Sequence, residues 1–342
     1  MLPKRKTPSR DAPGAAHPEA SYADALRQGL EQAMDLSDRV VVVGQLVDYA
    51  PGVFGSTTGL VERFGAERVR DFPVSESAMT ALGIGAAVAG MRPVLVHHRL
   101  DFMLYSMDAI VNWLSLWRFK SNGASSAPVT IRAIVGRGWG QGPQHSKSLH
   151  AWFAHVPGLK VAMPATAFDA KGLLLESIFG EDPVIMIEHR SLFGLKDRVP
   201  GFPYRVRFGQ AAVRRAGADL TLVGAGVMVP FALRVAAQLA EHRVEAEVID
   251  LRTISPLDLE TVLSSVEKTG RLAVLDPTWG SFGMAAEVIS RVAERRRGSL
   301  RADPVRIAHP DSHTPMSSAL EAVYYPEQSS VVERLRALVS GR

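Results

Sequence analysis

The chain contains no cysteine. That excludes disulfides, thiolate metal ligands and cysteine nucleophiles, and it fits a reducing compartment. No apolar run comes near the ~20 residues that span a bilayer. The best candidate, residues 78–90, carries Gly83, Gly85 and Gly90 and reads as a buried helix. A Walker A signature and a G-x-S-x-G elbow are both missing, and the G-x-G-x-G of residues 136–140 opens no glycine-packed helix, so it is not the dinucleotide fingerprint. His145, His150 and His155 lie five residues apart, off any common helical face, which argues against a metal centre. Aromatic residues make up only 7% of the chain and do not interleave with basic ones, so no nucleic-acid surface is expected. The first twenty residues have no apolar core of a secretory signal, and Asp11 and Glu19 are foreign to a transit peptide. The reading is a mobile tail over residues 1–19 and a cytoplasmic protein that does not enter a membrane.

What is present is a soluble globular composition: 342 residues, 46% hydrophobic and 22% charged, enough for two domains with separate cores. The net charge of +4 is a mild pointer to an acidic partner. The densest basic run, Arg295-Arg296-Arg297, ends a predicted helix and reads first as a solvated helix terminus that complements the dipole.

From Tyr22 onward, apolar runs of strand length alternate with segments of helical period. Strands are expected over 39–47, 69–72, 93–98, 129–135, 160–163 and 183–188. Helices are expected over 60–64, 78–89 and 169–179, with 102–119 as one long, mostly buried helix. Two prolines and a glycine over 199–203 break the pattern. It then restarts, with strands at 220–223, 246–251, 272–275 and 305–308 and helices at 230–241, 257–268 and 284–294. Such alternation implies parallel sheets covered by helices. The expected organisation is a tail over 1–19, a first α/β domain over 20–198, a linker over 199–204 and a second α/β domain over 205–342.

In an open parallel sheet, ligands bind beyond the carboxyl ends of the strands. Three such ends carry chemistry here. Residues 71–77, Asp-Phe-Pro-Val-Ser-Glu-Ser, place Glu76 before a glycine-bearing helix, where a first-turn acid could also simply favour the dipole. Residues 97–102, His-His-Arg-Leu-Asp-Phe, follow a strand, and on a strand only one of His97 and His98 can face a given pocket. The third is the loop 136–146, whose glycines allow close backbone approach to a ligand but equally allow flexibility. The residues alone reach a two-domain α/β protein with a polar loop cluster.

The wording of the motifs goes further. Gly44-Gln45-Leu46-Val47, Thr58-Gly59-Leu60, Arg70 to Glu76, Asp101-Phe102, Gly142 to Ser146, Phe153 to Val161 and Val248 to Pro256 follow one another as in a known family. The chain resembles the beta subunit of the thiamine-diphosphate-dependent 2-oxo acid dehydrogenase, over roughly residues 20–340. The resemblance implies a parallel-sheet pyrimidine-binding domain followed by a transketolase C-terminal-type α/β domain. It implies that thiamine diphosphate is shared with a separate alpha subunit, in an α2β2 heterotetramer, and that the alpha chain holds Mg²⁺ and the diphosphate through a Gly-Asp-Gly motif. That motif is missing here, so the chain alone is expected to be inactive. Glu76 falls where the family's glutamate shares a proton with the aminopyrimidine ring. Phe102 falls where an aromatic stacks on that ring, and Val74 would line it. His145 matches a loop histidine that orients the intermediate or manages protons while the acyl group passes to a lipoyl acyltransferase.

The departures are Gln45-Leu46 where the family has two acids, His98 at a position commonly Gln, and Trp139 beside the loop histidine. His98 and Trp139 imply a changed pocket for the 2-oxo acid. The stretch Leu275-Asp276-Pro277-Thr278-Trp279 replaces a more acidic one, implying altered docking of the acyltransferase. Two other readings stand beside the first: a split transketolase-like carboligase or decarboxylase subunit, and a non-catalytic structural subunit.

Overall fold

A computed structural model of the chain describes residues 17–137 and 140–341, so the expected tail lies almost wholly outside the described residues. The contacts divide the chain into two compact units. One runs up to Val135 and resumes over Trp152–Phe208; the other is Gly136–Ala151 with Gly209–Arg342. Both are α/β.

The first unit is built on a parallel sheet with strands in the order Lys160–Ala162, Val184–His189, Thr130–Val135, Arg92–His97, Val40–Gly44, Val69–Asp71. All pairings among these are parallel. The Val40–Gly44 strand reads VVVVG and the Thr130–Val135 strand is buried at every position, as β-branched runs covered on both faces should be. Successive strands leave Val40–Gly44 toward opposite edges, so the order reverses between Val40–Gly44 and Arg92–His97. At the middle of the sheet Arg132 is fully buried and forked onto Glu188, at 2.6 and 2.8 Å, with Ser56 at 2.8 Å.

Two helices close one face. Tyr22–Leu36 begins where the Ser21 hydroxyl accepts from the Asp24 N–H, and Ala167–Ile178 begins on the equivalent bond from Asp169 to Thr166. A Cβ added at Gly29 would lie 3.2 Å from Leu174, so the glycine lets these helices approach. The sequence reading missed the first of them, although Ala25, Leu26, Gly29, Leu30 and Ala33 are buried at helical spacing.

Residues 102–119 do not form one long buried helix. They divide into the helix Leu100–Met103, a 3-10 turn Leu104–Ser106, a π-helical stretch Ala109–Leu114 and the helix Trp117–Lys120. One serine competes with the helical ladder here: the Ser115 hydroxyl bonds back to the Val111 carbonyl at 2.7 Å. Only part of the apolar content is buried: Met103, Ile110 and Leu114 are, whereas Phe119 is 87% and Tyr105 77% exposed.

The second unit carries a five-stranded sheet in the order Val305–His309, Leu272–Trp279, Leu220–Gly224, Ala246–Asp250, Ala212–Arg215. The first four strands are parallel and the edge strand is antiparallel. Leu222, Val248, Leu275 and Ile307 pack with Ala232, Val235 and Leu239 of the helix Met228–Glu241 and with Val331 and Leu335 of Gln328–Ser340. The edge strand and the two C-terminal helices, Ser318–Tyr324 and Gln328–Ser340, are additions to the expected elements. Arg295 and Arg296 do end a helix, Met284–Arg296, and pair with Glu260 and Glu267 at the surface. Among the described residues no helix is long and apolar enough to cross a membrane.

Candidate active site

Glu76 is the first residue of the helix Glu76–Val88, directly after the strand Val69–Asp71. Its carboxylate sits in the first turn, where the helix dipole favours it, and the residue is half-buried. The helix lies tight on the sheet because a Cβ at Gly83 would come within 2.8 Å of Leu95. Phe102, also half-buried, lies in the turn Leu100–Met103. One buried hydrogen bond fixes these two segments to each other: Thr80 Oγ1 donates to Ser106 Oγ at 2.9 Å. Thr80 is four residues beyond Glu76, one turn along the same helix, and Ser106 ends the 3-10 turn that follows the segment of Phe102. The acid and the aromatic are therefore held on neighbouring segments from one pin. Val74, just ahead of the helix, is 83% exposed.

A second group collects where the strand order reverses. The Leu46 N–H, at φ +58°, donates to the Asp71 carboxylate. His98 bonds the Gln45 backbone and lies near Asp71 and Arg99; burial is the main cause that holds its pKa below the ordinary value, with Arg99 adding to it and the Gln45 and Asp71 oxygens opposing. Its ring is 5.8 Å from that of Phe54. Gln45, Leu46 and His98, which stood apart in the sequence as departures, are thus neighbours. His97 points the other way: it is fully buried, neither ring nitrogen has a hydrogen-bond partner among the described residues, and burial pushes its pKa down to about 3.

His145 belongs to the second unit, after the 3-10 turn Gly142–Gln144. Its loop is anchored at several points. Gly142 has φ +61°, and a Cβ there would lie 2.4 Å from Met316 Cγ. Lys147 Nζ donates to the Pro143 carbonyl at 2.7 Å. At the end of the loop, His150 Nε2 lies 2.9 Å from Asp276 Oδ1, a polar contact of two fully buried groups rather than an aligned hydrogen bond. Ser148 is 3.1 Å from the other ring nitrogen, and Asp276 Oδ2 accepts from the Ala285 N–H at 2.8 Å. Beside them His309 is held down to about 4, by burial first and by Arg137 second. Asp276, read in the sequence as part of a docking stretch, thus faces inward toward His150. Sequence reasoning had weighed His150 only as a metal ligand. Trp139 lies outside the described residues.

Two domain families match the chain: Transketolase, pyrimidine binding domain, over residues 18–196, and Transketolase, C-terminal domain, over residues 209–331. The beta subunit of acetoin:2,6-dichlorophenolindophenol oxidoreductase from Cupriavidus necator is 39% identical over 327 residues, 93% of this chain and 96% of the relative. The pyruvate dehydrogenase E1 component subunit beta of Bacillus subtilis is 38% identical over 93% of this chain and 97% of its own length. The 2-oxoisovalerate dehydrogenase subunit beta of the same organism is 37% identical, covering 93% and 98%. This chain belongs to the family of 2-oxo acid dehydrogenase E1 beta subunits. The fold agrees: a solved split gene transketolase, described as an inactive beta4 tetramer, superposes with TM-score 0.76 at 20% identity, over 94% of this chain and 98% of the other.

For a family dependent on thiamine diphosphate, the fit can be judged on the first unit. An aminopyrimidine needs one carboxyl group and one aromatic face, and Glu76 and Phe102 are held on adjoining segments. An apolar side chain, Val74, is left bare at the same helix entry. The residues fit the group.

Proposed function

We propose that the chain is the beta subunit of an enzyme that decarboxylates a 2-oxo acid and passes the acyl group to a lipoyl carrier, working only with an alpha subunit. The observation that carries this reading is the Thr80–Ser106 hydrogen bond that joins the segment bearing Glu76 to the segment bearing Phe102, in a chain related to E1 beta subunits over nine-tenths of its length. Bound thiamine diphosphate supplies the electron sink for decarboxylation.

The protein's own part is proton control and orientation. Glu76 would share a proton with a ring nitrogen of the aminopyrimidine, which a half-buried carboxyl group at a helix start is suited to do. Phe102 would stack on that ring, contributing on the order of 1 kcal/mol beyond area burial, with Val74 along its edge. His98 and Trp139 would shape the pocket for the acid's side chain. His145 would hold or move a proton as the acyl group leaves for the lipoyl sulfur. Mg²⁺ and the diphosphate would be held by the alpha chain, in an α2β2 heterotetramer. Support for a partner comes from the exposed apolar side chains of Val74, Leu82, Tyr105, Trp113 and Phe119, which lie on the segments that carry Glu76 and Phe102.

The test is co-purification with candidate alpha subunits, followed by decarboxylation assays with thiamine diphosphate, Mg²⁺, several 2-oxo acids and an artificial electron acceptor. Activity that requires both chains and falls at least about 100-fold in Glu76→Ala is the expected result. A stable complex with no decarboxylation of any 2-oxo acid would overturn the reading.

A further inference from the structure

Sulfur is carried in this chain by methionine alone: there are eleven methionines and no cysteine. Met316 stands apart from the rest. It is 66% exposed, whereas every other methionine among the described residues is buried or half-buried. Met316 lies in the second unit, between the strand Val305–His309 and the helix Ser318–Tyr324. The backbone ahead of it is held in place. The Ser312 carbonyl accepts from Trp279 Nε1 at 2.7 Å and from the Tyr324 hydroxyl at 3.0 Å, and Thr314 is buried. From that fixed position Met316 supports the loop that carries His145. Its side chain fills the place where a side chain of Gly142 would stand, with Sδ 3.4 Å from that Cβ position. Its carbonyl oxygen lies 3.5 Å from the corresponding position at Gly140. Both glycines have positive φ, +69° at Gly140 and +61° at Gly142, so the loop turns bare backbone toward this one residue. The turn Gly142–Gln144, tied by Lys147 Nζ to the Pro143 carbonyl, then leads straight to His145.

We propose that Met316 is a site of reversible oxidation, through which a peroxide loosens the His145 loop and slows the enzyme. The sulfur gives a lone pair to one peroxide oxygen. An S–O bond forms as the O–O bond breaks and water leaves, so the thioether loses two electrons and the peroxide gains them. The sulfoxide is polar and chiral where an apolar, adaptable side chain had been. With the backbone held at Ser312 and Thr314, the modified side chain is accommodated at the expense of the loop. If it turns to solvent it leaves Gly142 unsupported, and if it stays it presses on the glycine backbone. The effect on turnover rests on the proposed role of His145; the modification itself does not.

The experiment exposes the alpha–beta complex to graded hydrogen peroxide and follows methionine oxidation by peptide mass mapping. Turnover is measured after oxidation, and again after treatment with methionine sulfoxide reductases and dithiothreitol. Met316 is expected to react about tenfold or more faster than the other methionines of residues 17–341, as its exposure dictates. Turnover should fall in step by about threefold or more, as for a displaced catalytic group, and return on reduction. Each variant is compared with its own untreated activity. Met316→Leu should lose the sensitivity with the same alpha chain present, and Met316→Gln should turn over more slowly without any oxidant. Oxidation that spares Met316 in the complex, a loss that persists in Met316→Leu, or full turnover with Met316 oxidised would each overturn the proposal. Hydrogen exchange over residues 140–149 separates this device from the reaction. Should no acid be decarboxylated, faster exchange there on Met316 oxidation sustains the device while the proposed reaction falls. Unchanged exchange overturns it even in an active complex.

Discussion

At the scale of single residues, each unit holds a histidine, His97 fully buried and His309 partly so, that cannot accept a proton without cost. His97 is held down to about 3 and His309 to about 4, both chiefly by burial. The unfolded chain takes up these protons near pH 6.5. Stability is therefore present above that pH and lost as the pH falls from about 6.5 toward 3–4. Each histidine contributes a slope of about 1.4 kcal/mol per pH unit in that window. Replacing His97 by Leu, which fills the space without titrating, should flatten the decline measured by urea unfolding between pH 6.5 and 4; an unchanged slope would show that the ring is already protonated in the fold. The Arg132–Glu188 pair makes a sharper case. Both groups are fully buried and forked together, so Glu188→Gln leaves a guanidinium half-matched in the sheet. A loss of about 3–5 kcal/mol in denaturant unfolding is expected.

At the scale of elements, legibility followed how directly each signal comes from the chain itself. Strands buried on both faces announce themselves as valine and isoleucine runs, and the expected core strands of both sheets appear in place. The helix Tyr22–Leu36 was not legible even though a serine cap and a 3–4 spacing mark it, because its buried residues alternate with many polar ones and follow a polar tail without a break in composition. The segment 102–119 failed for a different reason. Its apolar content is high enough on all sides to read as buried, and nothing in one sequence tells a buried face from one reserved for a partner. Glu76, Phe102 and His145 could be proposed from the sequence because they lie in ordered motifs. The Thr80–Ser106 pin, the His150–Asp276 contact and the Arg132 fork could not, since each joins residues separated by 26 to 126 positions. The loop that carries His145 offers an element-scale prediction. Gly142 combines φ +61° with a Cβ position occupied by Met316, so Gly142→Val must move both backbone and neighbour. The complex should keep its first-unit cofactor affinity while turnover that depends on His145 falls at least tenfold, as roughly expected for a displaced catalytic group. Loss of cofactor binding instead would place the loop's role elsewhere.

At the scale of the whole molecule, the chain exposes what a finished protein would cover. Phe119 at 87%, Val74 at 83%, Tyr105 at 77%, Leu82 at 49% and Trp113 at 48% all come from the helix Glu76–Val88, its approach, and the broken helical run after residue 100. These are the segments that hold Glu76 and Phe102. A site whose acid and aromatic are supplied by one chain and whose diphosphate grip comes from another would have to lie at the boundary between them. The same apolar faces then serve assembly and exclusion of water from the cofactor. Placing charge at the periphery of that set separates assembly from folding. In Tyr105→Asp with Phe119→Asp, both side chains already face solvent, so the melting temperature of the isolated chain should change little. Association with the alpha subunit should weaken by about 100-fold or more, as truncation of two aromatic anchors commonly does, read by mass measurement of the mixed chains. Activity should be restored at high subunit concentration, because Glu76 and Phe102 are untouched. If the double variant assembles as tightly as the native chain, the partner covers a different face, and the exposed aromatics need another occupant.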